Sequence, residues 1–259
     1  MLLSEPQTTP LDIGFRVAGV PVRVSGLFWL GTVLIGWNVC EFFAGGDRRG
    51  VFVYLAMWCA VVLGSILIHE LGHALAFARF GQPARIVLYH FGGLAIPETW
   101  GRRRHLRPAE RFLVSAAGPF AQLLVAAAVI LLLKGAGMVV PFPFASVGRA
   151  LGFDEGRGFA SRQALALFDF ILYVNICWPV LNLIPVPPLD GGQMAREALE
   201  TLGVRDSGRI AAGIGMVAGG LVAFWALRQG DRWLGIMFAM LAVACFQELQ
   251  RSPPWRRWN

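Results

Sequence analysis

The sequence predicts an all-α polytopic membrane protein, with about six transmembrane helices and a small interfacial β-sheet on the cytoplasmic side; three observations carry that reading. Hydrophobic residues make up 56% of the 259 positions and charged residues only 15%, with a mean hydropathy of +0.58, whereas an average soluble domain is about 25% charged. The apolar residues fall into long uncharged runs at 51–68, 112–133, 170–189 and 210–227, with near-misses at 26–40 and 233–247. Runs of about 20 residues, rising about 1.5 Å each, cross a hydrocarbon core of about 30 Å. Two short segments, 11–24 and 84–97, instead carry the alternation and β-branched content of strands.

Taken in order, residues 11–25 form a strand-like entry with Ala18-Gly19 as its turn. Spans are then expected near 25–44, 51–78, 112–133, 164–189, 210–227 and 233–249. Six spans of this length leave no stretch for an added soluble domain of typical size, so 1–259 reads as a single integral membrane domain. The second strand-like piece lies between spans two and three, on the side of the first, and the two can pair. Open backbone at membrane depth must be buried in protein or line a wet cavity. The stretch 134–163, rich in Gly, Pro and Phe, reads as an irregular outer loop.

Net charge is +7, and 22 of the 23 basic residues are Arg. They sit between apolar spans rather than on one soluble face, which argues against nucleic acid as a partner and makes the lipid bilayer the surrounding phase. Six spans alternate the loops, placing 15 basic residues on the side of both termini and 8 on the other. The positive-inside rule therefore predicts a multi-pass protein of the cell membrane with both termini cytoplasmic. The first 25 residues carry Glu5, Asp12, Arg16 and Arg23 and no apolar core, so the first span is expected to act as its own insertion signal. Cys40, Cys59, Cys177 and Cys245 lie one per span and read as small buried hydrophobes.

The chemistry concentrates at the end of the second span, where ILIHELGHALAFARF places His69, Glu70 and His73 in an otherwise apolar helix. Ionisable groups there are costly and point to function. The i, i+4 spacing puts both imidazoles on one helical face, about 6 Å apart along the axis, so that two nitrogens can bind one Zn²⁺. Glu70 beside them is placed to take a proton from a zinc-activated water.

A catalytic zinc needs a third protein ligand and an open fourth position. The acidic residues remaining in or at the ends of spans are Glu41, Asp169, Asp190 and Glu248. Asp190 stands out because it closes NLIPVPPLDGG, whose prolines break the helix and whose Gly191 and Gly192 allow tight backbone turns. Spans two and four run in the same direction, and His69 and Asp190 each come about 18 to 20 residues into their runs, so both are expected in the cytoplasmic third.

HELGH on one span with NLIPVPPLDGG on a later one resembles the site-2 protease family of intramembrane zinc metalloproteases. GVPVRV before span one, Phe91-Gly92-Gly93 after the HELGH helix and Gly118-Pro119 in span three extend the likeness over most of the chain. The resemblance is to the compact six-span, sporulation-type branch that lacks PDZ and CBS domains. It implies His69, His73 and Asp190 as zinc ligands, Glu70 as catalytic base, and Asn182 as a donor to the oxyanion or an aid to substrate positioning. Family members often carry Asn three positions after Gly-Pro; this chain has Gln122, which keeps an amide there.

The expected activity is zinc-dependent hydrolysis of peptide bonds within or next to transmembrane segments of membrane-bound, regulatory proteins. A helical substrate must unwind before attack, and a strand edge at 86–96, with Phe91, Gly92 and Gly93 as substrate-binding residues, can hold it extended. Replacing Gly92 or Gly93 by Val is then expected to slow cleavage without loss of zinc or stability. Two rivals are a pseudoprotease that binds transmembrane helices without cutting, against which the intact Glu70 argues, and a metal transporter, which calls for repeated halves that the sequence lacks. His105 reads as a solvated residue of an Arg-rich loop and His90 as structural.

Overall fold

The structure is a computed structural model that describes residues 7–89, 92–98 and 105–251. Its elements, in chain order, are β1 (Ile13–Val17), β2 (Val20–Val24), α1 (Gly26–Ala44), α2 (Arg48–Arg79), β3 (Ala84–Tyr89), β4 (Gly92–Pro97), α3 (Pro108–Gly135), α4 (Ala145–Ala150), α5 (Arg162–Asn182), α6 (Asp190–Thr201), α7 (Ser207–Arg228) and α8 (Arg232–Arg251). Six of these, α1, α2, α3, α5, α7 and α8, are long and apolar enough to cross a membrane. These six long helices and the small sheet are those expected from the uncharged runs and the two strand-like segments. The chain divides into two compact units, one holding Met1–Arg104 with Phe120–Pro179, the other His105–Pro119 with Val180–Asn259.

In the first unit, Ala18 (φ 48°) and Gly19 (φ 81°) make the β1–β2 turn. Two positive φ angles in a two-residue hairpin loop match the twist of the flanking strands. β2 buries Val20, Val22 and Val24 and pairs with β3 in parallel, Val22 opposite Ile86. A parallel pair needs a crossover, and α1 and α2 supply it. β4 pairs antiparallel with β3, Leu88 opposite Gly93, so the sheet order is β1-β2-β3-β4 with β4 at an edge.

The helix α1 leaves β2 through Ser25, whose N–H donates to Leu88 O at 2.9 Å, tying helix entry to the sheet. Asp47 caps α2 by accepting from Arg49 N. At 32 residues, α2 runs about 48 Å, well beyond the apolar thickness of a bilayer, and its last third holds the HELGH motif. Phe28, Trp58, Phe170, Ile86 and Leu88 anchor the core between α1, α2, α5 and the sheet. Trp58 Nε1 donates to Thr32 O at 3.0 Å, and Asn175 Nδ2 on α5 donates to Ser65 Oγ on α2 at 2.8 Å. A second cluster joins the later part of α3 to α5 through Ala126, Leu133, Leu172 and Ile176.

The 134–163 stretch is more ordered than the irregular loop expected. It contains α4, Val139 N donates to Arg157 O at 3.0 Å and Arg157 N to Gly137 O at 2.8 Å, and Lys134 Nζ donates to Gly152 O at 2.7 Å. Backbone pairing and the side chains of Lys134 and Arg157 fasten what Gly and Pro content alone suggested was open.

In the second unit, α7 and α8 form a helical hairpin whose contact face on α7 is small: Ala211, Ala212, Gly215, Gly219, Ala223 and Ala226 are buried. Small residues let two helix backbones approach closely, which drives packing where lipid removes the hydrophobic drive between helices. Val186, Phe238 and Cys245 lie in the same core. The fourth apolar helix ends at Asn182, not at 189, because Pro185, Pro187 and Pro188 lack the amide hydrogens that a continuing helix needs. The chain restarts as α6 at Asp190, within a segment whose sequence suggested a loop.

Candidate metal centre

His69, Glu70 and His73 lie on α2 and are 3%, 5% and 7% exposed. The i, i+4 spacing brings the imidazoles together with ring centroids 4.8 Å apart and Nε2 atoms 3.1 Å apart. Two imidazole nitrogens on one tetrahedral zinc, each about 2.0–2.1 Å from the metal, are about 3.3 Å apart. The pair therefore has the spacing that a shared metal requires, and the donors are of the type zinc prefers.

His69 has a second partner. Its Nδ1 is 2.8 Å from Gln122 Oε1, a fully buried group on α3. A carbonyl oxygen only accepts, so Nδ1 carries the proton and Nε2 presents its lone pair. Gln122 attracts notice in the sequence only as a departure from a family pattern; an amide inside the uncharged run 112–133 was the available signal.

The sheet meets the site through β4. A Cβ added to Gly93 would lie 2.6 Å from Glu70 Cδ and Oε1, so the β4 backbone rests directly on the Glu70 carboxylate. Gly92 differs: its φ is +123°, and a Cβ there would come 2.9 Å from Trp178 Cζ2. The expectation that either glycine tolerates Val is corrected accordingly, because one position adjoins the carboxylate and the other has a backbone that L residues rarely adopt. Tyr89, at the end of β3, is also buried; that burial, and next the Glu70 charge, push its phenol above the ordinary range. No sequence signal pointed to Tyr89. His90 and Phe91 lie outside the described residues.

In the second unit, Asn182 is the last residue of α5 and Asp190 the first of α6, both half-buried. Asp190 thus sits on a separate short helix rather than 20 residues along a continuous span. Gly191 and Gly192 pack so closely on the backbone of residues 183–187 that a Cβ on either would overlap it; on Gly191 it would lie 2.6 Å from Ile184 O. Arg111 holds the far part of α6: Nε donates to Glu197 Oε2 and Nη2 to Glu200 Oε2, each at 2.7 Å. Glu197 is buried, and this clamp was not legible in the sequence.

Of the other candidates, Asp169 is half-buried on α5, while Glu41, Glu248 and His105 are exposed. All four cysteines are free thiols.

Comparison with known proteins agrees with this picture. The model of Peptidase family M50 matches residues 57–225. The chain is 25% identical over 204 residues to "Zinc metalloprotease MJ0392" of Methanocaldococcus jannaschii, covering 78% of this chain and 49% of that protein. It is 27% identical over 258 residues to "Putative zinc metalloprotease Rip3" of Mycobacterium tuberculosis, covering 91% and 58%. The chain spans about half the length of the curated relatives it matches. Its fold is similar to the solved "Site-2 Protease from Methanocaldococcus jannaschii", with TM-score 0.51 and 19% identity over 96% of this chain and 100% of that one. The relatives carry the name of zinc metalloproteases, and the chain has six helices long and apolar enough to cross a membrane. The chain belongs to Peptidase family M50.

Proposed function

We propose that this chain hydrolyses peptide bonds within or next to transmembrane segments of membrane-bound proteins, regulatory ones among them, at a zinc centre on its second span. The observation that carries the reading is the buried HELGH in the last third of a 32-residue apolar helix, with its two Nε2 atoms 3.1 Å apart. Ionisable groups placed at membrane depth meet substrates that also lie in or at the bilayer.

In this proposal His69, His73 and Asp190 are the ligands. Two imidazoles and a carboxylate are a zinc donor set and leave a fourth position for water or substrate. Zinc, when bound, supplies Lewis acidity to the scissile carbonyl and lowers the pKa of water toward about 7. Glu70 takes the proton of the attacking water as its oxygen bonds to the carbonyl carbon, then delivers it to the amide nitrogen as the C–N bond breaks. Asn182 donates its side-chain amide hydrogens to the developing oxyanion. The β4 edge with Gly92 and Gly93 pairs with a locally unwound substrate and holds it extended, and Phe91 is assigned to substrate binding from the sequence alone. The excess of basic residues on one side, 15 against 8, supports cytoplasmic termini.

The test is a membrane-proteome comparison of cells carrying wild type or Glu70→Gln. The expected result is membrane proteins that yield fragments ending within or next to a transmembrane segment only with wild type. Zinc-loaded wild type that yields no such fragment would contradict the reading and favour a non-cleaving, helix-binding role.

A further inference from the structure

We infer that Gln122 is a positioning residue that fixes the tautomer and ring plane of His69 for metal binding. The inference rests on the proposed zinc centre and deepens it. Three observations converge. Gln122 Oε1 is 2.8 Å from His69 Nδ1; Gln122 is fully buried; and its Nε2 has no hydrogen-bond partner among the described residues.

The chemistry is one-directional. With Oε1 toward the imidazole, the proton must sit on Nδ1, and Nε2 then faces the His73 Nε2 as a lone pair. With the amide reversed, Gln122 would donate to Nδ1, the proton would move to Nε2, and the metal-facing nitrogen would be blocked. The second hydrogen bond also fixes the ring plane, which a lone histidine on a helix would sample more widely.

A buried amide whose nitrogen finds no partner is a net cost to folding, and an apolar side chain of similar volume would remove that cost. Gln122 is a polar residue within a run of 22 uncharged residues, 112–133. Leu would remove the cost of the orphaned Nε2 but leave the buried His69 Nδ1–H without its acceptor, so the balance of stability is close to even, whereas orientation of His69 needs the acceptor oxygen. Ser65 and Asn175, which bond to each other one turn before His69 on α2, do not perform this task, since neither reaches the imidazole in the bonds the structure shows.

The experiment measures zinc affinity of the full chain in detergent by competition with a chromogenic chelator, for wild type, Gln122→Leu and Gln122→Glu, alongside the melting temperature of each metal-free protein. Loss of an outer hydrogen bond to a ligating histidine weakens metal binding by about 10- to 100-fold. Gln122→Leu is expected to bind zinc weaker by that factor, while its metal-free form still melts cooperatively with a drop no larger than the loss of one buried hydrogen bond gives. Gln122→Glu, which presents an acceptor oxygen to the same Nδ1–H, is expected to restore affinity to within a few-fold. A purely structural role would make affinity follow the metal-free melting temperature across the variants, with no recovery of affinity in Gln122→Glu, and that result overturns the inference. Equal affinity of wild type and Gln122→Leu overturns it as well, while leaving the zinc centre standing. Wild type that binds no zinc overturns both. Gln122→Met, similar in length and unbranched, stands in for Leu if the latter does not fold.

Discussion

Gly93→Ala isolates the contact between the sheet and Glu70. The added methyl carbon would overlap Glu70 Cγ and lie 2.6 Å from Cδ and Oε1, where ordinary contact begins at 3.4 Å, so strand and side chain must separate by about 1 Å. The carboxylate is the far end of a flexible side chain and yields more readily than β4, which is held by its ladder to β3. Relief of one such overlap costs about 1 kcal/mol of stability, too little to unfold the protein. A catalytic group displaced by about 1 Å, however, can lose about 10²-fold in rate, equivalent to about 2.7 kcal/mol of barrier. Expected for Gly93→Ala are therefore wild-type zinc content, a small drop in melting temperature, and kcat lowered about 10²-fold with KM little changed. The assay is steady-state cleavage of a transmembrane substrate in detergent, with metal analysis and thermal melting on the same preparation. Wild-type kcat would refute the geometry on which the reasoning rests; unchanged kcat with raised KM would show that Gly93 serves the substrate edge and not the base.

Three further outcomes follow from the same structure. Asp190→Ala should lose most of its zinc under a competing chelator, because a three-ligand site depends on each ligand; full occupancy in metal analysis would exclude Asp190 from the ligand set. Asn182→Ala should lower kcat by about 10²- to 10³-fold, the typical loss of one oxyanion donor, with zinc content unchanged. Arg111→Met should destabilise the protein by about 1–3 kcal/mol, because it leaves the buried Glu197 carboxylate without its 2.7 Å partner; Glu197→Gln with Arg111→Met should recover part of that loss, read by thermal melting.

Much of the fold was legible in the sequence because lipid leaves few options: an uncharged run of about 20 residues must be a helix to satisfy its own backbone. The hairpin at Ala18-Gly19 was equally plain, since few residues other than glycine and its neighbours in such turns accept positive φ. What hydropathy could not locate were boundaries set by backbone chemistry. The apolar run continues to 189, yet the α5 helix stops at Asn182 where Pro185 and its successors withhold donors, and α6 is hidden by its charges until Arg111 is seen to pair with them. The site shows the same division. His69, Glu70 and His73 were readable from spacing along one helix, because that spacing fixes which side chains share a face. Gln122 beside His69 and Gly93 against Glu70 are contacts between elements, 53 and 23 positions apart, and no local pattern encodes them.

The measurement that bears most directly on Glu70 as the base of a zinc-dependent membrane protease is zinc content and cleavage on one preparation of Glu70→Gln. The substituted amide can neither accept nor return the proton, while His69 and His73 keep their 3.1 Å pairing on the same helix face. The expected result is about one zinc per chain, as in wild type, with cleavage of a transmembrane substrate abolished. Glu70→Gln that loses its zinc, or that keeps both zinc and cleavage, would contradict the assignment.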